Sequence, residues 1–329
     1  MPSATVETLA RGSAGLFLYP DRRHLLGLEG IPRDELLALL EEAQRYRAML
    51  DRPGESTREL AGVTVCNAFF ENSTRTRVSF ELAEQRLSAT AVSFSAADSS
   101  TAKGETLLDT LRVIQSMRVD LVAVRHGSSG AASFLARHLE AGVINAGDGA
   151  HEHPTQGLLD LLTLRQAWNG RFEGRRIAIV GDVAHSRVAR SAFHGLRALG
   201  VKVAVAGPAT LMPRGVERLG VSVAASLEEA MEGADAVMAL RLQRERMEQG
   251  LLASLGEYAR VFGVNERRVR LMKPDAVVMH PGPMNRGIEI SPAVADGERS
   301  VILDQVTNGV AVRCAVLLRC AAALAGRAR

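Results

Sequence analysis

Ser73-Thr74-Arg75-Thr76-Arg77, inside the stretch FFENSTRTRVSFE at residues 69–81, puts three hydroxyls and two guanidinium groups into five positions. The apolar run Val63 to Phe70 before it reads as a buried parallel strand, and Val78, Leu82 and Ala83 after it recur at helical spacing. A strand turning directly into a helix leaves that helix's first N–H groups unpaired and aimed at the turn, where the macrodipole favours an anion. An Arg fork grips two phosphate oxygens at once, so the pentad has the chemistry of an oxyanion cage. A Ser/Thr N-cap beside a solvated Arg would use the same letters.

Other polar clusters also follow apolar runs. Ser99 to Thr106 offers Lys103 beside a glycine, readable as an anion contact or as a capping segment with a solvated Lys. Arg125-His126 closes the run ending at Val124, either as a phosphate ligand or as a surface loop. His151-Glu152-His153-Pro154-Thr155-Gln156 follows Asn145 to Gly149 and leads into a helix. Its histidines lack the further ligands of a metal site, which points instead to imidazole donating to a carbonyl, while Gln156 can hold a planar amide.

Val180-Gly181-Asp182 with Arg187 forms a strand-to-helix turn without the G-x-G-x-x-G spacing of a dinucleotide site, and Arg187 there suits a carboxylate. Arg241-Leu242-Gln243-Arg244 adds cationic forks, or is a solvated basic loop. His280-Pro281-Gly282-Pro283 is rich in carbonyls without N–H partners, which suit an NH2 group. Summed, one half of the chain offers phosphate ligands, a carbonyl donor and an amide reader, and the other offers cations for carboxylates.

The elements that must position these groups alternate. Short apolar runs and helical segments from Val63 to Trp168 read as βα units of a parallel sheet, and a second series runs from Arg176 to Met279. That series counts Val201–Ala206, Val221–Ala224, Ala236–Leu240, Val261–Val264 and Ala276–Met279 as strands. Before the first series, Pro32 opens a helix with Leu36, Leu37, Leu40 and Ala43 on its apolar face and Glu41, Glu42 and Arg45 opposite. After the second, Val310 to Ala325 is helical. The expected fold is α/β, two doubly wound parallel-sheet domains with an active-site cleft between them. The domains are residues 1–168, with an extended arm at 1–20 and the C-terminal helix 304–329 packed back on them, and residues 169–303.

A chain of 329 residues fits two domains, and 47% hydrophobic content fills both cores. With a net charge of +3 and 4% aromatic residues, the stacking platforms of a single-strand nucleic-acid binder are scarce, so a small anion is the expected partner. Three cysteines do not make a disulfide framework, and a reducing cytoplasm fits. No signal-like N-terminal run is present, and the apolar stretch Cys314–Gly326, interrupted by Arg319, falls short of the roughly 20 residues of a membrane span.

From about Leu25 to Leu324 the chain resembles the aspartate carbamoyltransferase family, through the STRTR pentad, Lys103-Gly-Glu-Thr, Val124-Arg125-His126, His153-Pro-Thr-Gln, Val180-Gly-Asp with Arg187, Arg241-Leu-Gln, and His280-Pro-Gly-Pro. The resemblance implies transfer of a carbamoyl group from carbamoyl phosphate to L-aspartate, in pyrimidine synthesis, without a metal or organic cofactor. It implies Ser73, Thr74, Arg75, Thr76 and Arg125 as phosphate ligands, and Arg75, Thr76 and His153 as catalytic donors to the carbonyl oxygen. Gln156, with the turn at Pro281, Gly282 and Pro283, is implied for the carbamoyl NH2, and Arg187, Arg241 and Gln243 for aspartate. Ser99 and Lys103 are implied to reach into a neighbouring subunit's site, both to carbamoyl phosphate and Lys103 also to aspartate, hence a homotrimer. Gly282 departs from members with a larger side chain there. The long arm resembles that of bacterial members which assemble with a dihydroorotase or dihydroorotase-like chain. An ornithine carbamoyltransferase would meet repulsion from Arg187, Arg241 and Arg244 and would carry a Cys near His280; a non-catalytic relative would have a broken pentad.

Overall fold

The structure, a computed structural model, describes residues 23–95, 105–242, 250–252 and 254–327. The arm, Ser99, Lys103, Gln243 and Arg244 lie outside the described residues. The chain forms two compact units: the described residues up to 162 with those from 307 onward, and residues 163–306.

In the first unit the chain runs through α1 (Arg33–Leu50), β1 (Thr64–Phe69), α2 (Thr74–Arg86), β2 (Thr90–Ser95), α3 (Leu107–Ser116), β3 (Leu121–His126), α4 (Ala131–Ala136), β4 (Gly142–Asp148) and α5 (Pro154–Ala167). Its strands form one parallel sheet in the order β2-β1-β3-β4. The β-branched and small residues of β1, β3 and β4 are buried almost throughout, as strands covered on both faces require. Cys66, Ala68, Val122, Val124 and Val143 pack there against Leu111, Leu135 and Leu139 of the covering segments.

The second unit contains β5 (Arg176–Val180), α6 (Arg187–Ala198), β6 (Lys202–Ala206), β7 (Ser222–Val223), α7 (Leu227–Met231), β8 (Ala236–Ala239), α8 (Leu255–Phe262), α9 (Glu266–Val269), β9 (Val277–Met279) and α10 (Pro292–Ala295). Its parallel order is β7-β6-β5-β8-β9, so the winding reverses at β5. The last helix, α11 (Ile302–Arg327), returns the chain to the first unit.

Three expectations change. Val261–Val264 is not a strand: Val261 and Phe262 end α8, and Val264 makes only an isolated bridge to Ile290. Ser254, whose hydroxyl accepts from Glu257 N at 3.0 Å, starts that helix, and the capping signal outweighs a four-residue apolar run. Glu42, expected on the polar face of α1, is buried beside Arg45. The C-terminal helix starts at Ile302, eight residues before the apolar periodicity becomes clear, and reaches the length of a membrane span, with 72% of its apolar stretch buried inside the protein. Arg313 and Arg319 are buried along it, the pattern of a core helix.

All three cysteines are free and buried. Burial pushes the Cys66 and Cys314 thiols up to about 12 and Cys320 to about 11, which removes them as nucleophiles near neutral pH.

Candidate active site

Register brings the first set of polar residues to one edge. Phe69 of β1 pairs with Arg125 of β3, and His126 pairs with Asp148 of β4, so the segments following these three neighbouring strands emerge side by side at their carboxyl ends. Ser73 to Thr76 follows β1, Arg125 stands at the end of β3, and His153 and Gln156 follow β4.

The start of α2 is unusual in this molecule. Six other helices begin with a Ser, Thr or Asn whose side chain accepts from the third residue beyond it: Thr106, Ser186, Ser226, Ser254, Asn265 and Ser291. Ser73 makes no such cap. Its backbone sits at φ −160°, ψ 87°, and its hydroxyl donates instead to Thr76 Oγ1 at 2.9 Å. The first turn of α2 is therefore left without a side-chain cap while Ser73 and Thr76 face each other across it. Arg75 is exposed on that turn and Thr76 is buried.

Arg125 is held on two sides. Its Nη2 donates to Glu71 Oε1 at 2.9 Å and its Nη1 to the Ala146 carbonyl at 3.1 Å, which fixes the fork at the end of the sheet. The loop from β4 to α5 is organised by two buried acids. Asp148 accepts from Gly130 N at 2.7 Å, Asn145 Nδ2 at 2.8 Å and Glu152 N at 3.2 Å, and lies 3.1 Å from His151 Nδ1. Glu152 accepts from Leu28 N at 2.7 Å and Glu29 N at 3.3 Å, and Gly27 leaves it room, since a Cβ there would meet its Oε1 at 2.2 Å. These bonds hold the approach to buried His153. Gln156 Nε2 donates one hydrogen to Asp160 Oδ1 at 3.0 Å, which orients the amide and assigns its other polar atom as the carbonyl acceptor.

In the second unit the other candidates follow three neighbouring strands, β5, β8 and β9. Arg187 is the first residue of α6, after a turn in which Asp182 accepts from His185 N at 3.2 Å and lies 2.8 Å from its Nδ1. Arg241, exposed, follows β8. After β9, His280 Nδ1 accepts from Gly282 N at 2.8 Å, so its Nε2 carries the hydrogen facing Glu289 Oε1 at 3.1 Å. Asn285 N also donates to that oxygen, at 2.5 Å, and Asn285 Nδ2 donates to the Leu242 carbonyl at 3.0 Å, linking the last two turns. Gly282, at φ +64°, occupies the left-handed region that a larger side chain would resist, and Pro281 and Pro283 flank it.

Asp148, Glu152 and Asp182 stand inside the motif stretches of the sequence with no motif role of their own, and Glu289 lies outside those stretches. A usable signal for the first two was present: acids set among glycines and small residues in Asn145 to His153.

Two parallel α/β units, one gathering hydroxyls and an Arg at its strand ends and the other gathering arginines at its own, define a two-domain α/β protein built for small anionic substrates. The chain belongs to the aspartate/ornithine carbamoyltransferase family: the carbamoyl-P binding domain of that family matches residues 23–166 and its Asp/Orn binding domain residues 173–320. The aspartate carbamoyltransferase catalytic subunit of Sorangium cellulosum is 55% identical over 300 residues, 91% of this chain and 93% of its own length. Among solved structures, aspartate transcarbamoylase from Trypanosoma cruzi in complex with N-(phosphonacetyl)-L-aspartic acid superimposes with a TM-score of 0.82 at 32% identity, covering 91% of this chain and 96% of that one. Ornithine carbamoyltransferase from Pyrococcus furiosus gives 0.79 at 31% identity, covering 90% and 96%, so backbone shape alone does not choose the acceptor.

Proposed function

We propose that the chain is the catalytic chain of an aspartate carbamoyltransferase, moving the carbamoyl group of carbamoyl phosphate to the α-amino group of L-aspartate to give N-carbamoyl-L-aspartate and phosphate for pyrimidine biosynthesis. The observation that carries this reading is the uncapped first turn of α2 beside the braced fork of Arg125. Backbone N–H groups, the hydroxyls of Ser73, Thr74 and Thr76, and the guanidinium groups of Arg75 and Arg125 take the phosphate oxygens. Aspartate as the acceptor is supported by Arg187 and Arg241 at the second edge and by the name of the relative at 55% identity. Ornithine would bring an ammonium to those arginines.

The amine attacks the carbamoyl carbon, and negative charge grows on the carbonyl oxygen. Arg75, Thr76 and His153 stabilise it, each contributing about 3 kcal/mol by analogy with other oxyanion donors. The Gln156 carbonyl oxygen, with the carbonyls of Pro281 and Gly282 in the turn closed by Pro283, accepts from the carbamoyl NH2. The C–O bond to phosphate breaks, and the departing phosphate takes the proton the amine loses.

Ser99 and Lys103 act in the neighbouring subunit of a homotrimer, and Gln243 joins Arg187 and Arg241 on aspartate. The enzyme works in the cytoplasm, and the N-terminal arm serves a dihydroorotase or dihydroorotase-like partner. Light scattering on the chain alone, with and without residues 1–20, tests the assembly: a monomer rules out the shared site, and an active trimer indifferent to the deletion removes the arm's role. The decisive assay is carbamoylation of L-aspartate against L-ornithine with an Arg75→Ala control. Product from aspartate alone, lost in the control, supports the reading, and product from ornithine reverses the choice of acceptor.

A further inference from the structure

Four arginines are buried among the described residues. Three face a carboxylate: Arg125 bonds Glu71 at 2.9 Å, Arg268 bonds Glu228 at 2.9 Å, and Arg319 bonds Glu35. Among the described residues Arg313 has only neutral partners. Its Nη1 donates to Ser79 Oγ at 3.0 Å and to the Gly309 carbonyl at 2.7 Å, its Nη2 reaches Thr155 Oγ1 at 3.4 Å, and its guanidinium carbon lies 5.0 Å from the centre of the Phe80 ring. Its Nε faces no acceptor.

A buried cation with no counter-ion is strongly unfavourable. Burial, and after it the positive charge of Arg125, push the Arg313 pKa down to about 9, which still leaves it cationic at neutral pH. A neutral amide could bridge two hydroxyls, so the bonds to Ser79 and Thr155 do not account for an arginine. Gly309 sits one turn earlier inside α11, where glycine is a weak helix former. A Cβ there would lie 2.9 Å from Arg313 Nη1, so a larger residue would require this group to shift.

The surroundings give the charge a purpose. Ser79 and Phe80 lie on α2 behind its open first turn, Thr155 lies between His153 and Gln156, and Arg125 ends β3. Two of the three segments of the phosphate edge touch this one guanidinium, and the charge of Arg125 in the third acts on it. We propose that Arg313 is a positioning residue of the phosphate site, a buried cation that ties α2 to α5 from behind and is electrostatically balanced only when a doubly charged phosphate group is bound in front. The inference rests on the phosphate reading above.

The test is binding of inorganic phosphate to the full chain by calorimetry at pH 5.5 and pH 8, comparing wild type with R313Q and R313K. Wild type should bind more tightly at pH 8, where the anion carries its second charge. R313Q should lose about tenfold at pH 8 and much less at pH 5.5, and R313K should recover most of the pH preference. His126, His153 and Arg125 stand at the same edge in all three proteins, so the pH 8 to pH 5.5 ratio of each variant is compared with that of wild type. An equal loss at both pH values, or no loss, would show a mere bridge and overturn the inference. Should R313Q not fold, R313K decides alone: a retained ratio supports the charge, and a lost one overturns it. A wild type that does not bind phosphate at all fails the phosphate reading itself, a result distinct from these.

Discussion

The two sheets have the same parallel winding and place their polar residues at the same ends of their strands, yet they treat the following turns in opposite ways. In the first unit α2 begins with a serine that does not cap it, leaving backbone donors at the edge. In the second, α6 begins with Ser186, whose hydroxyl accepts from Ala189 N at 3.1 Å and uses up such a donor, so the charge available there comes from side chains. The buried acids differ as well. Asp235 of the second unit is bonded by Arg175 at 2.5 Å, Lys273 at 2.8 Å and Arg176 N at 2.9 Å; burial pushes its carboxyl up, but these partners outweigh burial and hold it below its ordinary 3.8. Among the described residues Glu84 of the first unit has no cation beside it. Asn67 Nδ2 donates to its Oε2 at 2.9 Å, while Glu84 Oε1 and Asn67 Oδ1 face no donor, and burial, with the nearby Glu81 charge as a lesser cause, pushes its carboxyl up to about 7. The first turn of α2 thus stays open and Glu84 holds its proton to a higher pH, whereas Asp235 of the second unit is paired with two cations.

The largest effect expected from breaking this contrast is at Arg75. Arg75→Ala should lower kcat for carbamoyl transfer about 10²- to 10³-fold. Because the residue is exposed, the melting temperature should hardly move. A large fall in both would mean that the pentad is structural.

Next comes the pH response of the two acids. Glu84 titrates at 4.5 unfolded and about 7 folded, so between those values the native state keeps a proton that the unfolded chain has lost. Its contribution, about 3 kcal/mol, is full below pH 4.5 and is lost as pH rises through 7. Asp235 has the opposite sign: its contribution is present above 3.8 and is lost as pH falls through the lower folded value. Hydrogen exchange should therefore show β1 and α2 loosening on the alkaline side and β5 and β8 on the acid side. Glu84→Gln should abolish only the alkaline loss; an unchanged alkaline response would mean another group carries it.

A middling effect belongs to Arg241. Arg241→Ala should raise KM for aspartate about tenfold or more, by removing a charged hydrogen bond of ~1.5–3 kcal/mol, and leave phosphate binding unchanged. Weakened phosphate binding would end the division of labour between the edges. The smallest effect sharpens the comparison most directly. Ser186→Ala should destabilise the protein by about 1 kcal/mol through loss of the cap, while Ser73→Ala should change stability by less than half of that and weaken phosphate binding instead. Equal stability losses in a denaturant titration would show that Ser73 caps after all.

Much of the site was legible because its chemistry is local. The strand-turn-helix pattern around Ser73, the Arg ending the run at Val124, and the polar turns after Val180, Leu240 and Met279 can all be found by reading apolar runs and the residues that follow them. The misreading of Val261–Val264 shows where that method stops: four apolar residues satisfy strand and helix alike, and only the cap at Ser254 settles which forms. Arg313 was out of reach for a different reason. In the sequence it is one Arg in an apolar helix, separated by 234 positions from Ser79 and by 158 from Thr155.

The sequence by itself determined the alternation of strands and helices, the assignment of phosphate-type and carboxylate-type groups to separate halves, and the residue types at each turn, since these depend on neighbours a few positions apart. Only the tertiary structure decided that Ser73 leaves its helix uncapped, that Asp148 and Glu152 hold the approach to His153, that Glu84 is buried against Asn67 with one oxygen of each unpaired, and that Arg313 is buried with no counter-ion among the described residues. The reason is physical. Burial and pairing set the energy of a charge, and both depend on which distant segments the fold brings against it.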